Sequence, residues 1–114
     1  MLKIYHNPRC KKSRAGLEFI REKGLDVEVI EYIKNPLTEE QLSHLLAKLH
    51  VKPQYIIRVQ EDIYKKRFKG KNFNEEEWVK ILVEFPNLIQ RPIVEKKYSA
   101  VIGDPIENLE TFLL

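Results

Sequence analysis

Leu2, Ile4 and Tyr5 make residues 2–5 mostly apolar and predict a short strand. The period then lengthens: Leu17 and Ile20 share one face of a helix over residues 11–23, and Gly24 follows where a left-handed backbone is tolerated. Val27, Val29, Ile30, Tyr32 and Ile33 return to β-branched and aromatic density and predict a buried strand ended by Asn35-Pro36. A strand, a helix and a strand in this order make the two strands parallel.

Helical spacing dominates next. Thr38 and Gln41 form a capping box ahead of Leu42, Leu45, Leu46 and Leu49, so residues 39–49 read as a helix. Pro53 suits the first turn of a short helix, residues 61–67 suit another, and Asn74 with Glu77 caps one carrying Trp78, Ile81, Leu82 and Phe85, stopped by Pro86. Ile93-Val94-Glu95 and residues 98–102 then flank Lys96-Lys97 as a hairpin with a two-residue turn. Asp104, Pro105 and Glu107 offer a cap, a first-turn proline and a third-position acid for a last helix with Ile106, Leu109 and Leu113 inward. The prediction is an α/β fold with a small mixed sheet, interrupted by a helical cluster over about residues 38–86. No Ser/Gly-rich linker marks that cluster as independent.

Length narrows this to one core, since 114 residues make one domain burying roughly two-thirds of its unfolded surface. No apolar run approaches the ~20 residues of a membrane span, and residues 1–6 turn polar too soon for a signal peptide, so a cytoplasmic location without membrane attachment is expected. The net charge of +3 arises from 20 basic and 17 acidic residues, well mixed. The basic stretch at residues 65–71 has Glu61, Asp62 and residues 75–77 beside it to offset its field, so direct nucleic-acid binding is not implied.

The chemistry concentrates at the one cysteine. Cys10 falls between the first strand and the first helix, where unpaired amides and the helix dipole favour a thiolate. Arg9, Lys11, Lys12 and Arg14 surround it with positive charge, and no carboxylate occurs before Glu18. His6 closes the strand ahead of it, and Ser13 places a hydroxyl three residues beyond, so both, with Lys12 and Arg14, are candidates to stabilise the thiolate. A single cysteine closes no internal disulfide, so a redox cycle needs a sulfur from elsewhere. Three scattered histidines give no metal-ligand spacing with it.

Asn7-Pro8-Arg9-Cys10-Lys11-Lys12-Ser13-Arg14, Leu88-Ile89-Gln90-Arg91-Pro92-Ile93-Val94 and Ala100-Val101-Ile102-Gly103-Asp104-Pro105, in this order and spacing, resemble the arsenate reductase ArsC family, which also contains the Spx regulators. The resemblance implies a single thioredoxin-like domain over residues 1–114, with a four-stranded mixed sheet and the helical insertion between its second and third strands. It implies that Cys10 attacks arsenate or a related small oxyanion, that Arg58 and Arg91 bind the anion, and that the Arg91-Pro92 bond is cis. Glutathione as co-substrate and glutaredoxin as partner would complete the cycle, with no bound cofactor. Where arsenate-reducing members resemble Arg-Pro after the last strand, this chain has Asp104-Pro105, an anion in place of a cation. The alternatives are a glutathione-dependent thiol reductase acting on another electrophile, and an Spx-like regulatory protein contacting RNA polymerase, against which stands the absence of a second cysteine beside Cys10.

Overall fold

β1 (Leu2–Tyr5) is an inner strand, pairing in parallel with β2 (Val27–Ile30) on one side and antiparallel with β3 (Ile93–Glu95) on the other. β4 (Ala100–Ile102) adds antiparallel to β3, giving the order β2-β1-β3-β4. The computed structural model describes residues 1–114 and divides into one unit of residues 1–35 and 91–114 and a second of residues 36–90. The first unit has the expected thioredoxin-like arrangement: α1 (Lys11–Glu22) connects the parallel strands, and α5 (Glu107–Phe112) follows β4.

The period of two in β1 decides what each sheet face buries. Ile4 lies in register with Val29 and Val94, and Val94 with Val101. Ile4 and Val94 pack with Leu17 and Ile20 of α1 and Leu109 of α5 in the core of this unit. Tyr5 points to the opposite face, where its hydroxyl donates to Glu95 Oε1 at 2.7 Å. Burial, then that bond, raises the Tyr5 pKa and keeps the phenol protonated.

In the second unit both capping boxes form. Thr38 Oγ1 accepts from the Gln41 amide at 3.1 Å at the start of α2 (Glu39–Leu49), and Asn74 Oδ1 accepts from the Glu77 amide at 2.8 Å at the start of α4 (Glu75–Glu84). α2 packs on α4 and buries Leu42, Leu45, Leu46 and Leu82. The basic stretch closes α3 (Asp62–Arg67), and Arg67 lies over the Phe85 ring at 5.0 Å, covering apolar surface with its guanidinium plane. No helix is long and apolar enough to cross a membrane.

The structure departs from the sequence reading at three places. The β3–β4 connection takes four residues, 96–99, closed by the Lys96 amide donating to Ser99 O at 2.7 Å. A two-residue turn needs positive φ, which Lys96 and Lys97 do not adopt. β2 stops at Ile30, and residues 31–35 turn instead, with the Asn35 amide on Glu31 O. α5 starts at Glu107 with no side-chain cap, because the Asp104 carboxylate bonds the Lys12 ammonium at 2.9 Å rather than the helix amides.

Candidate functional site

Asn7 shapes the loop that delivers the cysteine. Its Oδ1 accepts from the Arg9 amide at 3.0 Å, its carbonyl accepts from the Cys10 amide at 3.0 Å, and its own amide donates to Ser13 Oγ at 3.0 Å. These bonds hold Cys10 extended, at φ −96° and ψ 123°, as the N-cap of α1. The Cys10 carbonyl then accepts the first helical bond, from the Arg14 amide at 3.0 Å. A residue at this position has its side chain facing the unpaired first-turn amides.

The sulfur of half-buried Cys10 uses them. Burial pushes the thiol pKa up, but the Ser13 amide, the Arg91 guanidinium and the Lys12 amide all bond the sulfur, and the charge on Arg91 adds to them, so the net shift is downward. Two backbone dipoles and one cation thus favour the anionic form of this half-buried sulfur.

Arg91 is itself buried, 9% exposed, at the end of the segment leading into β3. The next residue fixes it. The Arg91–Pro92 peptide is cis, and Pro92 fills a notch between two glycines: a Cβ on Gly16 would lie 2.8 Å from Pro92 Cγ, and one on Gly103 3.0 Å from it. The Gly103 amide donates to Pro92 O at 2.8 Å and ties β4 to the same point.

Ser13 is fully buried and reaches the thiol through its amide, because its hydroxyl is engaged elsewhere. Ser13 Oγ lies 2.7 Å from His6 Nδ1 while accepting from the Asn7 amide. Burial lowers the His6 pKa, with Arg21 and Arg14 contributing against the opposing pull of Glu31 and Ser13. His6 is therefore a neutral imidazole at pH 7 and acts through hydrogen bonding, not as a cation. Arg14 donates to Pro8 O at 2.9 Å and braces the loop from its solvent side.

Lys12 divides its roles: its amide faces the sulfur, and its ammonium pairs with Asp104. Arg58 belongs to the second unit, where its guanidinium bonds Glu61 Oε2 at 3.2 and 3.3 Å and its amide donates to Leu88 O. No group of three or more His, Cys, Asp and Glu side chains is placed to hold a metal ion. Three residues that shape the site have no role assigned from the sequence: Asn7, Gly16 and Gly103. The Asn-Pro pair and a glycine inside a helix were the available signals.

Comparison with known proteins finds relatives along nearly the whole chain. The ArsC family model matches residues 5–112. An arsenate reductase of Neisseria meningitidis serogroup A is 35% identical over 114 residues, spanning 98% of this chain and 97% of the relative. The uncharacterized protein YfgD of Escherichia coli is 37% identical over 110 residues, spanning 95% and 92%. The solved arsenate reductase from Vibrio cholerae superposes with a TM-score of 0.89 at 32% identity, covering 96% of this chain and 95% of that one.

Proposed function

This chain belongs to the ArsC family, and from that premise and the geometry around Cys10 we propose that it is a thiol-dependent reductase of arsenate or a related electrophile. The observation that carries the proposal is the contact of Arg91 with the Cys10 sulfur, which puts a fixed cation where an anionic substrate must approach an anionic nucleophile. Guanidinium presents a planar fork of donors to oxyanion oxygens, and its burial keeps it in place before substrate arrives.

The Cys10 thiolate attacks arsenic, and a hydroxyl leaves as water after taking up a proton. Glutathione thiolate then attacks the Cys10 sulfur. The sulfur–arsenic bond breaks with its electron pair remaining on arsenic, which becomes arsenic(III), while the two sulfurs become a mixed disulfide. Glutaredoxin resolves that disulfide and regenerates the thiolate.

Arsenate consumption coupled to glutathione and glutaredoxin tests the proposal. Turnover in the wild type that vanishes in Cys10→Ser supports it. A Cys10→Ser variant as active as the wild type removes the nucleophile, and absence of turnover with a competent glutaredoxin removes arsenate as the substrate.

A further inference from the structure

The rim of the Cys10 site carries a pair of opposite charges that the arsenate chemistry does not use. Lys12 Nζ and Asp104 Oδ2 are 2.9 Å apart, with the two side chains 66% and 30% exposed. Their backbones tie them to the surroundings of the thiol. The Lys12 amide bonds the sulfur, and Asp104 directly follows Gly103, whose amide is bonded to the residue next to Arg91. The pair therefore joins the first turn of α1, two residues beyond Cys10, to the segment after β4, and faces water.

Its electrostatics favour one ligand class. A purely anionic ligand gains from Lys12 what Asp104 takes away. A ligand with an ammonium and a carboxylate on neighbouring atoms uses both, exchanging one exposed ion pair for two. Opening such a water-facing pair costs little. Asp104 also caps no helix amide, so its carboxylate is free of a backbone duty that would hold it back.

Resting on the reading of Cys10 as nucleophile, we infer that Lys12 and Asp104 form a recognition subsite for an α-amino-acid zwitterion on the thiol or disulfide co-substrate. Lys12 takes its carboxylate and Asp104 its ammonium. A γ-glutamyl thiol peptide carries this group on an arm remote from sulfur, and a free amino-acid disulfide carries it close to sulfur. In the exchange itself the Cys10 thiolate attacks one sulfur of the disulfide. A new disulfide forms to Cys10, the old one breaks, and the leaving sulfur departs as a thiolate that takes a proton from water. Cys10 is oxidised and the leaving sulfur reduced, with no further oxidant.

The test measures, by mass spectrometry, the rate at which reduced protein is S-thiolated by glutathione disulfide, its di-N-acetyl derivative, cystine and hydroxyethyl disulfide, each expressed relative to hydroxyethyl disulfide. The wild type should prefer glutathione disulfide over the N-acetylated form by about fivefold, and Asp104→Asn should erase that preference. Lys12→Gln should lower the glutathione-to-hydroxyethyl ratio by a similar factor. If cystine rather than glutathione disulfide shows the Asp104-dependence, the zwitterion is that of a free amino acid. If neither glutathione disulfide nor cystine shows an advantage that Asp104→Asn removes, the subsite alone is overturned. Failure of every disulfide to react overturns the nucleophile reading and the subsite with it.

Discussion

Arg91 hydrogen-bonds the Cys10 sulfur although one precedes β3 and the other precedes α1. The contact exists because β1 and β3 are antiparallel neighbours, so the residues just beyond the C-terminal end of β1 and just before the start of β3 meet at the same end of the sheet.

Arg91→Gln should therefore change the Cys10 thiol and the proposed anion site together. Losing the cation raises the thiol pKa, so the pH profile of Cys10 alkylation moves to higher pH. Losing a preorganised donor to the oxyanion should cost on the order of 10²-fold in kcat/KM for arsenate. An alkylation profile identical to wild type would show that the two amides alone hold the thiolate.

Stability should depend on pH through Cys10 and His6. The native thiol pKa lies below its ordinary 9.0, so between the two values the folded state holds a thiolate and the unfolded state a thiol. The unfolded state binds the extra proton there, and stability rises with pH across that window. Cys10→Ser should consequently lose more stability, relative to wild type, at pH 9 than at pH 6. His6 acts at lower pH: its native pKa is below 6.5, so stability falls as pH drops from about 6.5 through the native value. Urea titrations of wild type, Cys10→Ser and His6→Gln across pH 5 to 9 check both, and His6→Gln should flatten the acid limb.

The features legible in the sequence were those fixed by neighbours along the chain. The capping boxes of Thr38 and Asn74 formed as read, because each needs only atoms three residues away. The placement of Cys10 at a strand-to-helix turn was similarly local. What escaped was set by distant partners. Asp104 looked like a helix cap because its local surroundings fit one, yet Lys12 on α1 offers a full charge and takes the carboxylate. The Ser13 hydroxyl was expected to serve the thiol, and His6 across the turn claims it instead. The notch for Pro92 needs Gly16 and Gly103 from two elements, a coincidence that no single window displays.

The same contrast orders the effects of truncation. Leu109 is fully buried and packs against the Gly16 and Gly103 notch as well as the core beneath the sheet, so Leu109→Ala should cost about 2–5 kcal/mol. Thr38→Ala removes one exposed cap and should cost about 1 kcal/mol. Denaturant midpoints measure both. Leu109→Ala should also slow Cys10 alkylation at neutral pH, because the residue supports the element that carries Arg91, whereas Thr38→Ala should leave that rate unchanged.

Asp104 makes the last prediction, because its carboxylate neutralises Lys12, whose amide bonds the Cys10 sulfur. Asp104→Arg removes the carboxylate that neutralises Lys12 and adds a guanidinium, shifting the local charge by two toward positive. Attraction for a small dianion should rise, and KM for arsenate should fall by about tenfold, with the gain shrinking as salt is added. Asp104→Asn should give a smaller gain of the same sign, since it releases Lys12 without adding a cation. If neither substitution moves KM at low salt, Asp104 does not face the bound anion, and the ion pair serves only the co-substrate. If both do, this carboxylate is what sets the present chain apart from a site built for a dianion, and its pairing with Lys12 is a determinant of specificity.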